Sequence, residues 1–174
     1  MAEFFFVDKL LEDELLDDVC GVVKDKANDW HSKGIEAKDV GVFAVSPDYS
    51  STVAMRVLHS CAIDRQLPSI IAIDTPFPKE TEENKEKYKV MFSSLIQFWK
   101  KAFKKIVLVE VGVLTGKNFE FMLEALVDNG FKKEDIFTVA LVEMEDSVFK
   151  CDLRGKVVKD MPHFWWEADI KDWD

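Results

Sequence analysis

The 174-residue chain has no uninterrupted apolar run of about eighteen residues, the length that a membrane-spanning helix needs. Its N-terminus, MAEFFFVDKLLEDELLDD, turns acidic after three phenylalanines and lacks the basic flank and apolar core of a secretory signal. Cysteine is scarce as well, because only Cys20, Cys61 and Cys151 occur, and they lack the paired spacing of metal ligands. These absences predict a soluble, cytoplasmic protein with reduced thiols and without a zinc site.

Basic residues are fewer than acidic ones, with 23 Lys and Arg against 33 Asp and Glu, so that the formal net charge is -10. Such a chain is repelled by the phosphate backbones of nucleic acids and by the anionic surfaces of membranes. We therefore expect neither nucleic acid nor a membrane as a partner. An acidic protein that binds a polyphosphate would need magnesium or well-directed backbone amides at that site.

Apolar residues, in contrast, make up 48% of the sequence, which is enough for one domain with a proper core. Strand-like apolar runs alternate along the chain with stretches of helical periodicity. Strands that alternate with helices pair in parallel through right-handed crossovers, so we predict a three-layer, doubly wound α/β fold. The predicted single domain comprises an N-terminal packing helix (1–34), an α/β core (35–152) and an aromatic C-terminal hood or tail (153–174).

The predicted elements follow from the positions of these runs and of the polar turns between them. Helices are predicted at 8–33, 52–64, 82–103 and 119–129, and strands at 40–45, 69–73, 106–109 and 136–144. A polar turn, SPDYSS (46–51), separates the first of these strands from the next helix. A charged segment with two prolines (74–85) is predicted to be a loop.

The segment KIVLVEVGVLTGKN (105–118) joins a buried strand to a helix through a small polar turn. Glu110 follows the apolar run, and Thr115 and Gly116 stand at the predicted helix start, in the crevice where open α/β sheets bind ligands. The backbone amides of residues 115–118 are therefore candidates for binding an anion. An ordinary strand-to-helix turn is the alternative. The spacing of the glycines, and Asn118 after the lysine, exclude the P-loop of nucleotide triphosphatases.

This segment resembles the phosphoribosyl-diphosphate signature of the type I phosphoribosyltransferases, in which a strand ends in two acids followed by three spacers, Thr-Gly and a further Thr. Val111 takes the place of the second acid and Asn118 that of the last Thr. By this resemblance, Glu110 is the catalytic residue at the ribose hydroxyls, and Mg²⁺ accompanies the diphosphate without direct ligation by the protein. The resemblance assigns ribose and phosphate binding to Glu110, Thr115, Gly116, Lys117 and Asn118.

Two further segments correspond to parts of that family. The turn after the first core strand stands where the family holds its pyrophosphate loop, which implies this role for Ser46, Pro47, Asp48, Tyr49 and Ser50. A serine-capped helix start is the alternative reading of the same residues. Near the C-terminus, Phe164-Trp165-Trp166-Glu167 resembles the Phe-Pro-Trp-Glu that ends the hood of purine and xanthine phosphoribosyltransferases. Stacking of a base on Phe164, Trp165 or Trp166 is implied, and a dimer contact or a strap over the core is the alternative.

The resemblance implies transfer of ribose 5-phosphate from phosphoribosyl diphosphate to a nucleobase, of purine type. Positioning and charge stabilisation carry such a reaction, so the lack of a Ser/His/Asp or Cys/His arrangement does not argue against it. The alternative hypothesis is a weakened or inactive relative that serves as a nucleotide-binding, regulatory or protein-interaction module. The expected partner is a small nucleotide or phosphoribosyl diphosphate, and a homodimer is possible.

Overall fold

The computed structural model describes residues 4–45, 47–62, 66–73 and 82–165, without the side chains of residues 47–49 and 82–86. Seven strands and four α-helices are found in these ranges. In chain order they are β1 (Phe4–Val7), α1 (Lys9–Ser32), β2 (Val40–Val45), α2 (Pro47–Ser60), β3 (Ser69–Ile73), α3 (Glu82–Ala102), β4 (Lys105–Val113), α4 (Lys117–Asp128), β5 (Ile136–Met144), β6 (Leu153–Val158) and β7 (Met161–Phe164).

Five of the strands form one parallel sheet in the order β3-β2-β4-β5-β6. Helices α1 and α2 pack on one face and contribute to a core cluster around Val42, Val107 and Leu141. Helices α3 and α4 pack on the other face, around Phe43 and Leu108. The predicted three-layer, doubly wound α/β fold is therefore confirmed.

The central strands are buried on both faces because their sequences are apolar without alternation. All six residues of β2 are buried, as are seven of the nine residues of β4. Helix α1 begins after Asp8, whose carboxylate accepts a hydrogen bond from the Leu11 amide. Thus the strand predictions at 40–45, 69–73 and 136–144 and the helix prediction at 8–33 are confirmed.

Three predicted elements have wrong boundaries. Helix α2 begins at Pro47 and ends at Ser60, so residues 47–51 form its first turn instead of a turn before it. Proline suits a first helical position because its fixed φ is helical and its missing N–H has no intrahelical partner there. Strand β4 continues to Val113 because β5 supplies partners beyond Glu110. Helix α4 begins two residues earlier than predicted, at Lys117. Residues 74–81 of the predicted loop lie outside the described residues.

A second sheet of two short strands was not predicted. Strand β1 pairs in parallel with β7, so that the N-terminal phenylalanines meet the aromatic tail. Its inward-facing residues Val7 and Phe164 belong to the core cluster under α1. The Phe164 ring also lies 3.3 Å from the position that a Cβ on Gly112 would take, which places this sheet against the extension of β4. Within the described residues, the predicted C-terminal hood or tail contains β6, which belongs to the main sheet, and β7, which pairs with β1.

No helix in the described ranges combines the length and the apolar composition needed to cross a bilayer. The three cysteines are free thiols, of which Cys61 and Cys151 are buried and Cys20 is half-buried. The predicted division of the chain into three parts and the possible homodimer stay predictions.

We expect alkylation of the native protein to occur at Cys20 and not at Cys61 or Cys151. Burial raises the pKa of the Cys61 thiol to about 12, and burial, reinforced by the Glu143 carboxylate, raises the pKa of Cys151. Both thiols therefore stay protonated at neutral pH, and protonated thiols react slowly. Peptide mass spectrometry after iodoacetamide treatment measures this, and the two buried thiols should react only after denaturation. Labelling of Cys151 as fast as Cys20 would contradict its burial.

Candidate functional site

The candidate site lies at the carboxyl edge of the main sheet, where β4 and β5 extend further than β2. Pairing of β2 with β4 runs as far as Ala44 and Val109, whereas β4 and β5 continue together to Val113 and Glu143. Beyond β2, the Val111 amide donates a hydrogen bond of 3.2 Å to the Ser50 hydroxyl in the first turn of α2. This bond satisfies a buried strand amide that β2 is too short to reach.

Glu110 and Asn118, both predicted site residues, are brought into direct contact. The Asn118 side-chain amide donates a 3.2 Å hydrogen bond to Oε1 of Glu110. Glu110 is buried, with 8% of its surface exposed, and Asn118 is half-buried in the first turn of α4. Because Glu110 lies within β4, the bond ties the acidic strand position to the start of the helix. The expectation that Glu110 ends the strand is wrong, since β4 runs three residues further.

The turn between β4 and α4 leaves the helix start without a side-chain cap. Gly116 is the N-cap residue and adopts φ 80°, ψ 0°, a left-handed conformation that glycine takes without a steric penalty. The Thr115 hydroxyl accepts a long bond of 3.4 Å from the Lys117 amide. Thr115 and Lys117 are both exposed. First-turn amides and the positive end of the helix dipole make this position suited to an anion such as phosphate.

The segment after β5, which we name the β5–β6 loop (residues 145–152), packs against this turn. The Val148 amide donates a 3.1 Å hydrogen bond to the Thr115 carbonyl oxygen. A Cβ placed on Gly116 would lie 2.5 Å from Cβ of Phe149 and 2.6 Å from Oγ of Ser147. The Phe149 ring stacks on that of Phe119, with 5.4 Å between the ring centroids. Glycine is therefore required at position 116 by packing as well as by φ.

The described part of the predicted pyrophosphate loop forms the first turn of α2. Of the predicted pyrophosphate loop, Ser46 is outside the described residues and Pro47, Asp48, Tyr49 and Ser50 are helical. Ser50 is buried, and its hydroxyl holds the Val111 amide. This loop's role in binding pyrophosphate stays a prediction.

The predicted base-stacking residues are separated by the alternation of β7. Phe164 faces inward and is 5% exposed, in the core cluster under α1. The adjacent Trp165 is 45% exposed; its indole N–H donates to the Glu12 carboxylate, and the Lys9 ammonium lies 5.1 Å from its ring centroid. Trp166 lies outside the described residues. Phe164 thus packs in the core, and stacking of a base on Phe164, Trp165 or Trp166 stays a prediction.

One acidic residue near the site was missed in the sequence. Glu143, near the end of β5, has no exposed surface. Its Oε2 accepts a 2.8 Å hydrogen bond from the Cys151 amide, and its Oε1 lies 3.6 Å from the Lys150 ammonium and 3.5 Å from the Arg154 guanidinium. Burial raises the pKa of the Cys151 thiol, and the charges of Glu143 and Glu110 raise this pKa further. The signal was the single acid in an otherwise apolar strand, IFTVALVEM.

Metal binding by this edge of the sheet is limited by its few acids. In the part of the chain that the structure describes, no group of three or more His, Cys, Asp or Glu side chains is placed to hold a metal ion. Mg²⁺, however, keeps several waters and commonly takes only one or two carboxylates together with substrate phosphates. The predicted binding of Mg²⁺ together with the diphosphate, without direct ligation by the protein, stays a prediction.

A cleft of about 480 Å³ lies at the opposite edge of the sheet, where β5 begins, and was not predicted. Trp30 and Phe137 meet edge to face in it, with 6.4 Å between ring centroids, and the Lys26 ammonium lies over both rings. Lys133, Glu134 and Asp152 give its rim charges of both signs. This cleft is a useful internal reference for experiments that locate a bound ligand.

No protein-family model matches the sequence, and no curated protein matches it either. Solved structures do resemble the fold. A purine phosphoribosyltransferase from Pyrococcus horikoshii gives a TM-score of 0.60 at 16% identity over 95% of this chain and 94% of that one. A Helicobacter pylori xanthine-guanine-hypoxanthine phosphoribosyltransferase also gives a TM-score of 0.60, at 14% identity over 98% of both chains. An HGPRT-ase from Leishmania tarentolae, in complex with GMP, gives a TM-score of 0.58 at 12% identity over 84% of this chain and 78% of that one.

Proposed function

We propose that this chain, which has the fold of the type I phosphoribosyltransferases, binds phosphoribosyl diphosphate and purine nucleoside 5′-monophosphates and transfers ribose 5-phosphate to a purine base. The fold is shared with the solved enzymes over nearly the whole chain. The ligand and the reaction are proposed on the chemistry of the site at the carboxyl edge of β4.

The observation that carries the proposal is the bond between Glu110 and Asn118. It holds a carboxylate, suited to ribose hydroxyls, beside the start of a helix whose amides are suited to a phosphate. A ribose 5-phosphate group presents both chemistries on one small molecule. Thr115 and Lys117, which are exposed at the same turn, add a hydroxyl and a positive charge for the phosphate.

The proposed reaction breaks the bond between C1 of the ribose and the diphosphate, which leaves with the electron pair, and forms a bond between C1 and a nitrogen of the base, whose proton is released to solvent. The chain contributes by fixing the 5′-phosphate at the α4 start and the ribose at Glu110, so that C1 is oriented toward the base. The Glu110 carboxylate also favours the positive charge that develops on the ribose ring in the transition state. When bound with the diphosphate, Mg²⁺ would neutralise the negative charge of this leaving group.

A purine base is proposed because of what the similar structures contain. The Leishmania tarentolae structure holds GMP, and a Trypanosoma cruzi hypoxanthine phosphoribosyltransferase, with a TM-score of 0.57, holds the product IMP. Both ligands are purine nucleoside 5′-monophosphates, so GMP and IMP are the first compounds to test on this chain.

A second candidate function, nucleotide binding without transfer, is favoured by Val111. This residue occupies the position of the second acid in the resembling signature, and its side chain is buried in the core cluster under α1. A carboxylate there could not face a ribose without leaving the core. A site with one acid keeps the α4 amides that bind the phosphate and keeps one of the two carboxylates that bind the ribose.

Calorimetric titration with phosphoribosyl diphosphate, GMP and IMP, each with and without Mg²⁺, tests the proposal, followed by an assay of nucleotide formation from purine bases. We expect saturable binding and transfer. In Glu110→Gln, the amide oxygen still accepts the Asn118 bond but the charge is lost, so binding of phosphoribosyl diphosphate should weaken about tenfold or more. Glu120→Gln, which neutralises an exposed acid in the same helix turn, is the control and should lose no affinity.

The outcomes separate the candidates. Binding of monophosphates without transfer to any purine base would favour the binding module. The absence of binding to all three ligands would contradict both candidate functions.

A further inference from the structure

Glu143 stands out among the described residues as a charged side chain with no exposed surface and no part in the proposed chemistry. Burying a carboxylate is costly unless it is hydrogen-bonded and neutralised. One oxygen, Oε2, is satisfied by the Cys151 amide, whereas Oε1 has no hydrogen-bond partner in the described part of the chain. Two half-exposed cations, Lys150 and Arg154, stand 3.5–3.6 Å from Oε1 and offset its charge.

Within the described residues, the polar groups that bond or pair with the Glu143 carboxylate belong to the β5–β6 loop or to the strand that follows it. Cys151 and Lys150 are in the loop, and Arg154 is the second residue of β6. Lys150 is fixed further, because its ammonium donates a 2.8 Å hydrogen bond to the Glu145 carbonyl oxygen at the start of the loop. The single carboxylate therefore holds the second half of the loop against the end of β5.

The other side of the same loop forms the support of the turn at Thr115 and Gly116. The Val148 amide bonds the Thr115 carbonyl oxygen, and Phe149 stacks on Phe119 in the first turn of α4. Ser147, which is 4% exposed, donates a 2.8 Å bond to the Phe149 carbonyl oxygen and keeps the loop in this shape. The turn thus gets its position from the loop. Glu143 holds the part of the loop next to the turn, and Thr138 holds the last residue of the loop, Asp152.

We propose that Glu143 is a positioning residue for the phosphate turn, acting through the β5–β6 loop. The inference rests on the proposed function for the turn's ligand, but its structural content does not depend on a ligand. Glu143 does not touch the phosphate: it sets the place of the loop, and the loop sets the left-handed turn from which the α4 amides face an anion. Removing the carboxylate frees the loop and lowers phosphate affinity.

Hydrogen exchange of the ligand-free protein tests the link between Glu143 and the turn. Glu143→Leu keeps the volume and removes the acceptor, so the Cys151 and Val148 amides should exchange about tenfold faster or more, since a bond to a charged group is lost. Glu143→Gln keeps an oxygen for the Cys151 amide and should retain most of the protection. Asp39→Ala is the matched control, because it removes another buried carboxylate that accepts a backbone amide bond and pairs with a lysine, at the opposite edge of the sheet and without contact with the loop.

The same variants are then titrated with GMP. The leucine variant should bind about tenfold more weakly or worse, as expected when a binding group is displaced, while the glutamine variant and Asp39→Ala keep an affinity near that of the parent. Should the leucine variant fail to fold, Phe149→Ala breaks the same support from the loop side and should give the same two results.

Faster exchange at Cys151 with unchanged exchange at Val148 would overturn the proposal, as would equal loss of GMP affinity in Asp39→Ala. If the parent binds no nucleotide, the proposed function fails, and the exchange rate of Val148 still decides the positioning role of Glu143.

Discussion

Replacing Gly116 by alanine is expected to lower the free energy of unfolding by about 2–4 kcal/mol and to abolish nucleotide binding. The left-handed conformation at φ 80° penalises any Cβ. The new atom would also meet Cβ and the backbone nitrogen of Phe149 at 2.5 and 2.8 Å, and a backbone atom cannot swing aside. The loop and the turn must then separate, which moves the amides that face the phosphate. Thermal and denaturant unfolding measure the first effect, and calorimetric titration with GMP the second.

Gly21→Ala is the control for this substitution. Gly21 lies inside α1, and a Cβ there would have no heavy atom within 4 Å. Because alanine is the better helix former, this variant should gain about 0.5–1 kcal/mol in stability and bind nucleotide as the parent does. A Gly116→Ala protein with the stability and affinity of the parent would show that the turn does not have the described conformation.

Replacing Val111 by aspartate, which restores the second acid of the resembling signature, is expected to cost at least about 3 kcal/mol and to give no gain in transfer. The Val111 side chain is 5% exposed and belongs to the apolar cluster under α1, so the new carboxylate would be buried among apolar groups. The protein can avoid this only by distorting β4 at the residue whose amide Ser50 holds. Denaturant unfolding and the assay of nucleotide formation measure the two results.

Leu114→Asp introduces the same acid three residues later and serves as the control. Leu114 is 40% exposed in the turn after β4, so its replacement should change stability by no more than about 0.5 kcal/mol. A Val111→Asp protein that is as stable as this control and more active than the parent would mean that position 111 faces the ligand and not the core.

The fold could be predicted because its central strands carry strong local signals. The apolar runs in β2, β4 and β5 have no polar alternation, and only a sheet covered on both faces hides them. Their alternation with helical segments leaves parallel pairing as the natural arrangement. The position of Gly116 was predictable for a related reason, because a Thr-Gly pair after a buried strand indicates a turn into a helix.

The boundaries that the sequence misplaced depend on partners far away in the chain. Strand β1 exists because β7 pairs with it, and no local pattern in EFFFV identifies a partner more than 150 residues later. Strand β4 extends to Val113 because β5 is equally long. The segment SPDYSS has a composition typical of a turn, and the helical state of its residues from Pro47 onward is set by the packing of α2 on the sheet.

In the site, the sequence identified Glu110 and Asn118 but could not reveal that they are bonded to each other. Their contact depends on how far β4 extends before the chain turns into α4. Glu143 was missed because an acid within an apolar strand does not show whether it is buried, and its neutralising groups come from the segment after the strand. In the aromatic tail, Phe164 faces inward and Trp165 faces outward because β7 pairs with β1, and the local sequence does not indicate this pairing.

The most direct test of the account is to map the amide chemical shifts of the protein during titration with GMP. We expect saturable changes to concentrate at residues 110–111 and 115–120, with those of the distant cleft, around Trp30 and Phe137, unchanged. Such a result would place the phosphate at the start of α4. Changes confined to the Trp30 cleft, or saturable binding that leaves residues 115–120 unmoved, would contradict a ligand site at the carboxyl edge of β4.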